Sequence, residues 1–100
     1  MAYSNDDLRR IWAKGKAIPG YDSSKHRKDD CDAWMSWEKY GDRGSDFGWE
    51  VDHIKPVADD GSESLSNLRP LQWENNASKQ DGRLTCPVTS RNNDNIRRRS

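Results

Sequence analysis

Hydrophobic positions are sparse along this chain and gather in short patches between polar runs. Near the start, Leu8, Ile11 and Trp12 recur at i, i+3 and i+4, one face of a helix. Ser4 and Asp7 fit a capping box and Gly15 can end the element, so a helix is predicted over residues 4–15. "IPGYDSS" (18–24) is turn chemistry, with Pro19-Gly20 suited to a type II turn. "CDAWMSWEKYG" (31–41) carries two periods at once. Ala33, Met35 and Trp37 alternate as in a strand, while Trp34, Trp37 and Tyr40 fit a short helix, and we read an irregular knuckle.

The second half is more ordered in pattern. Trp49, Val51 and Ile54 mark a strand over about 49–55, closed by Pro56. "VADDGSESLSN" (57–67) is a long polar loop. "LRPLQ" (68–72) is a second, short strand with edge character from Pro70, and residues 73–80 are helical in pattern with Gly82 as the stop. "RLTCPVT" (83–89) adds an extended segment, and the polar stretch after it reads as disordered. The fold class expected is α+β: a small single domain over residues 1–90 with its core motif at 49–81, an N-terminal helix, irregular loops, and a basic, flexible tail over 91–100.

Composition tempers this picture. Only 31% of the 100 residues are hydrophobic and 34% are charged, so five tryptophans must carry much of the core. Lys plus Arg equals Asp plus Glu at 17 each, and the zero net charge does not announce a nucleic-acid partner. Basic clusters at "KHRK" (25–28) and "RRR" (97–99) are local exceptions, most simply solvated. Cys31 and Cys86 are too few for a disulfide framework and are read as packed, inert thiols. With no apolar leader after Met1 and no stretch of membrane-spanning length, a cytoplasmic setting is the expectation.

The polar residues with chemical potential concentrate where the order is strand, long loop, short strand, helix. They are Asp52, His53, Asn67, Asn75, Asn76 and Lys79. Taken singly, each has a plain structural role: a solvated strand carboxylate, a hydrogen-bonded histidine, a turn asparagine, a first-turn helix residue. Taken in order, "EVDHIKPV" followed by "LSNLRPLQWENNASK" resembles the HNH endonucleases, whose core is the ββα-metal fold. In that family an Asp-His or His-His pair ends the first strand. An Asn-Leu enters the second, and a His or Asn early in the helix precedes a Lys by three residues. Asp52-His53, Asn67-Leu68, Asn76 and Lys79 hold those places, and the likeness spans residues 31–81.

The resemblance implies a metal-dependent endonuclease that hydrolyses DNA phosphodiesters to 5′-phosphate and 3′-hydroxyl ends. Asp52 and Asn76 would hold one divalent ion, Mg²⁺ or Mn²⁺ by the hardness of oxygen donors, with Ni²⁺ or Zn²⁺ as further options. His53 would be the general base, because a neutral imidazole can take a proton from water at neutral pH. Asn67 would pin the loop behind it, and Lys79, Lys55 and Arg69 would meet the nucleic acid. Adjacent strand residues face opposite sides, so Asp52 and His53 can serve one phosphate only where the strand twists or ends. Asp52→Ala is expected to remove metal-dependent activity and leave the fold largely intact.

Many relatives also carry a structural zinc on two CxxC pairs. The corresponding positions here are Cys31, Trp34, Gln72 and Asn75, so no structural zinc is expected, and Trp34 and Trp73 are expected to replace it by aromatic packing. Two other readings stay open: a catalytically silent binding module with the same fold, and a nuclease directed at RNA. A protein partner could supply target specificity, since a neutral chain binds polyanions weakly by itself. Base stacking by an exposed tryptophan, such as Trp37, is a further option.

Overall fold

The computed structural model describes residues 3–98. Helix α1 spans Asn5–Trp12, and Ser4 caps it by accepting a hydrogen bond at Oγ from the Asp7 N–H at 3.0 Å. Acidic Asp6 and Asp7 lie in its first turn and Arg9 and Arg10 in its last, in the sense that favours the helix dipole. The helix ends before Gly15 because the backbone of Lys16 is drawn into a bridge with Lys28.

Strands β1 (His26–Lys28) and β2 (Trp34–Ser36) pair antiparallel, with Arg27 opposite Met35. The basic run at 25–28 is therefore a strand as well as a charged patch. Its polarity hid it: Arg27 contributes hydrogen bonds to the carbonyls of Ser23, Ala13 and Gly15 in place of an apolar contact. The expected knuckle at 31–41 resolves into β2 and a single 3-10 turn at Trp37–Lys39.

Strands β3 (Trp49–His53) and β4 (Leu68–Gln72) form the second antiparallel pair, and helix α2 (Trp73–Ala77) follows β4 without a linker. The Gln72 side chain makes that junction possible: its Oε1 accepts from the Glu74 and Asn75 N–H groups at 2.9 and 3.2 Å. The loop between β3 and β4 folds back through 3-10 turns at Val57–Asp59 and Leu65–Asn67. It closes so tightly at Gly61 that a β-carbon there would lie 1.7 Å from the Lys55 carbonyl oxygen.

Strands β5 (Val88–Arg91) and β6 (Asp94–Arg97) form a third pair, so the described residues comprise two α-helices and three two-stranded antiparallel sheets, an α+β arrangement. This hairpin stands where a disordered tail was expected. Asn95 is buried in it and bridges to the Trp34 backbone by accepting from its N–H at 2.6 Å and donating to its carbonyl at 2.9 Å. Arg97, from the basic cluster, pairs with Asp46 and Glu74, while residues 99–100 lie outside the described residues.

The core gathers Ile11, Trp12, Met35, Trp49 and Leu68, with Trp37 and Val51 packed against it. Trp12, Trp37 and Trp49 meet with ring centroids 5.1–5.8 Å apart, and the buried indole N–H groups of Trp12 and Trp49 donate to the carbonyls of Ser23 at 2.8 Å and Trp37 at 3.3 Å. Trp37 thus packs against the core cluster, with the Arg9 guanidinium 3.6 Å from its ring centroid, and is not a free stacking surface.

Two expectations about the join between β2 and the β3–β4–α2 unit are corrected. Cys31 and Cys86 are a disulfide, not free thiols. And the join is polar and covalent where aromatic packing of Trp34 and Trp73 was expected. Buried Asp29 accepts from the Cys31 and Ala33 N–H groups at Oδ1, and from the Gln72 N–H and Asn75 Nδ2 at Oδ2, all at 2.9–3.0 Å. Burial pushes the Asp29 carboxyl above its usual range, and the four hydrogen bonds oppose that push.

Candidate active site

The β3–β4 register places Asp52 directly opposite Arg69 and ends β3 at His53. Asp52 points inward and is 3% exposed. Its Oδ2 accepts from Arg69 Nε at 2.7 Å, and its Oδ1 from Lys79 Nζ at 2.5 Å. Lys79 also donates to the His53 carbonyl at 2.9 Å, and Arg69 reaches Asp30 at 3.2 Å. A buried carboxylate is tolerated here because both oxygens take charge-assisted hydrogen bonds.

His53, one residue further, stands at the end of the strand, where the alternation of faces no longer separates it from Asp52. Its Nε2 lies 2.9 Å from Glu63 Oε1, and Glu63 also accepts from the Tyr3 hydroxyl at 3.2 Å. A carboxylate accepts only, so an ionised Glu63 requires the proton of that contact to sit on Nε2, and in the neutral ring Nδ1 is then the atom with a lone pair. The hydrogen bond to His53 is the largest of the influences that hold the Glu63 carboxyl below its usual range.

Asn67 staples the loop that carries Glu63. Its Oδ1 accepts from the Lys55 N–H at 2.8 Å, and its Nδ2 donates to the carbonyls of Lys55 at 3.0 Å and Ser62 at 2.8 Å. Asn76, on α2, donates Nδ2 to Glu50 Oε1 at 2.9 Å. Glu50 is itself clamped by Arg43 through bonds of 2.7 and 2.9 Å, and that pairing holds its carboxyl below the usual range in spite of partial burial. The neighbouring Asn75 is fully buried and spent on Asp29 and the Val88 backbone. Of the two asparagines, only Asn76 faces the cleft.

That cleft, about 280 Å³, is lined by Asp52, His53, Asn76 and Lys79 together with Val51, Pro56 and Val57. Four of the seven residues singled out in the sequence thus meet in one place. Lys79 reaches it from beyond the end of α2, not from the helix face expected for it. Arg69 sits behind Asp52 with its guanidinium on two carboxylates and is 15% exposed at the side chain, so it is not a free phosphate contact. Lys55 is exposed, and its backbone, held by Asn67, is the part the structure uses.

Glu63, Arg43 and Tyr3 were not read from the sequence. Glu63 lies in a serine-rich loop, ten residues from His53, and nothing local in "GSESLSN" marks it. Asp29 is equally silent in sequence, because the two partners that tie it to β4 and α2 lie 43 and 46 residues away.

One comparison with known proteins gave a match. Residues 41–86 match the family model described as HNH endonuclease, a span that includes β3, the loop, β4, α2 and Cys86. The match supports HNH family membership for this segment, and the family is one of nuclease-type function. No curated protein and no solved structure gave a match. No helix among the described residues is long and apolar enough to cross a membrane.

Proposed function

We propose that this protein is a metal-dependent endonuclease that hydrolyses phosphodiester bonds in DNA, using β3, β4 and α2 as a ββα-metal core. The observation that carries the reading is the convergence of Asp52, His53, Asn76 and Lys79 on one cleft.

Among the described residues, no group of three or more His, Cys, Asp or Glu side chains is placed to hold a metal. The donor set of the cleft is smaller: the Asp52 carboxylate and the Asn76 amide oxygen. Both are hard oxygen donors, and Asp52 Oδ1 already holds a cation, the ammonium of Lys79. The chemistry of the set therefore fits a hard divalent ion, Mg²⁺ or Mn²⁺, provided Lys79 releases that oxygen. When bound, such an ion neutralises phosphate charge and stabilises the departing oxygen.

The chain's own residues supply the rest. His53 takes the proton from the attacking water at Nδ1, as the new O–P bond forms and the P–O bond to the leaving sugar oxygen breaks. Glu63 fixes the ring and its tautomer through Nε2. Asn67 fixes the loop that holds Glu63, and Glu50, clamped by Arg43, fixes the Asn76 amide. Lys79, once off Asp52, is a cation inside the cleft with a phosphate within its chemical reach.

A silent binding module remains as a second reading, favoured by one fact: both Asp52 oxygens are occupied by protein cations. Incubation of the purified chain with supercoiled plasmid, and separately with folded RNA, in Mg²⁺ or Mn²⁺ decides between them. Nicking of DNA that stops in EDTA is expected. His53→Ala should slow it about 10²- to 10⁴-fold, the range for a lost general base. Nicking that persists in chelator, or a His53→Ala protein as fast as wild type, would remove the mechanism. No cleavage under any ion would leave the silent module. The disulfide bears on setting as well: such bonds persist in oxidising compartments, so the cysteines give no support to the cytoplasmic location expected from the sequence.

A further inference from the structure

A second cavity, of about 310 Å³, opens on the β1–β2 hairpin and shares no residue with the Asp52 cleft. Its apolar walls are the rings of Tyr21, Trp34 and Phe47, and its polar positions are His26, Ser36 and Asn93. Two of the rings are fixed in place. The Trp34 indole donates to the Asn92 carbonyl at 2.7 Å, and the Tyr21 hydroxyl bonds to Asn93. Their centroids are 4.6 Å apart, and Tyr21 remains 40% exposed. An adjoining cavity of about 240 Å³ shares His26 and Ser36 and is lined further by Lys25, Lys39 and Glu38. Aromatic walls thus run directly into a surface that carries the Lys25 and Lys39 ammonium groups beside the Glu38 carboxylate, with Asp22 near enough to Lys25 to feel its charge.

We infer that the Tyr21–Trp34–Phe47 cavity receives an unpaired nucleobase of a polynucleotide, with Lys25 and Lys39 meeting the adjoining phosphates. Rings offer a stacking face to any base, and lysines beside them track the backbone. A duplex keeps its bases stacked on one another and cannot fill the cavity without expelling one. The site therefore favours single-stranded or distorted substrate. The inference rests on the reading of the chain as one that acts on nucleic acid, but it concerns a separate surface.

The test is binding in EDTA, where cleavage cannot interfere. Fluorescence anisotropy of a labelled single-stranded oligothymidylate, an oligouridylate of equal length and a duplex of equal length is compared across variants of the full chain. Both single strands are expected to bind more tightly than the duplex. Tyr21→Ala should weaken single-strand binding about tenfold or more, the scale of one lost base stack. Tyr21→Phe, which keeps the ring, should retain the affinity, and Lys25→Glu, a change in an exposed side chain, should weaken it and flatten its salt dependence. Unchanged affinity in both Tyr21→Ala and Lys25→Glu, or a duplex that binds as tightly as the single strands, would overturn the inference. Variant-sensitive binding in a protein that nicks nothing would sink the nuclease reading and leave this site standing. Plasmid nicking with variant-insensitive binding would do the reverse.

Discussion

Asp52→Ala removes one carboxylate and strands two cations. Arg69 Nε and Lys79 Nζ lie 2.7 and 2.5 Å from the Asp52 oxygens, with side-chain exposures of 15% and 11%. Breaking a buried pair by deleting one partner costs about 3–5 kcal/mol, because an uncompensated charge is left behind. Here Arg69 keeps Asp30 and Lys79 keeps the His53 carbonyl, so the lower end, about 3 kcal/mol, is expected. Against a total stability of about 5–15 kcal/mol for a domain, that is a large fraction. It corresponds to a fall in Tm of about 12–24 °C. The sequence-level expectation of an intact Asp52→Ala fold is revised accordingly, and lost activity in that variant would not by itself identify a metal ligand. Asp52→Asn keeps one acceptor oxygen and should cost less, about 1–3 kcal/mol. The double variant Asp52→Ala/Lys79→Met removes one stranded charge and should regain at least about 1 kcal/mol over Asp52→Ala. Urea unfolding followed by tryptophan fluorescence at neutral pH measures all three, beside a metal titration of nicking on the same preparations. An Asp52→Ala protein within about 0.5 kcal/mol of wild type would show that the Arg69–Asp52–Lys79 triad is not formed in solution.

The Cys31–Cys86 disulfide spans 55 residues, and a loop of that length restricts the unfolded chain by about 4 kcal/mol. Urea midpoints with and without reductant, or for Cys31→Ser/Cys86→Ser, should differ accordingly; a difference under about 1 kcal/mol would contradict the covalent tie. The Glu50 carboxyl is held below its usual range by Arg43, so its contribution is present above the unfolded-state value and is lost as pH falls through the folded one. Glu50→Gln should therefore lower the urea midpoint at neutral pH and converge with wild type in acid; a constant gap across the pH range would refute the linkage. Asp29 runs the other way. Its raised value makes its ionisation a cost that appears as pH rises from the unfolded to the folded value, so its protonation in acid offsets part of the stability lost there from Glu50. Asn67→Ala deletes three hydrogen bonds at the loop base and should lose about 2–3 kcal/mol, together with activity through loosened Glu63; wild-type stability and rate would show the loop closes without it.

What could be read from the chain was local. The β4 boundaries, Leu68–Gln72, follow from an apolar patch between a serine-rich loop and a helical pattern, and Ser4 marks the start of α1 by its capping chemistry. The order of β3, loop, β4 and α2 puts Asp52, His53, Asn67 and Asn76 forward in the sequence, because motif spacing is legible where packing is not. Strand β1 and the β5–β6 hairpin escaped notice for the same reason. Their inward positions are filled by Arg27 and Asn95, whose hydrogen bonds replace the apolar alternation that announces a strand. The turn of the last hairpin was faintly visible at Asn92, whose positive φ of 54° suits asparagine better than most residues.

Residue order sets which side-chain types stand together along the chain: an acid beside an imidazole at a strand end, an amide on the following helix, and rings beside basic clusters. Which of their atoms are free depends on the packing of distant segments. Asp52 meets Lys79 across 27 residues, His53 meets Glu63 across a folded loop, and Asn75 is withdrawn by Asp29 while its neighbour faces the cleft. Periodicity and caps are set by neighbours within a few residues. The occupancy of a lone pair is set by whichever distant group the packing brings within about 3 Å.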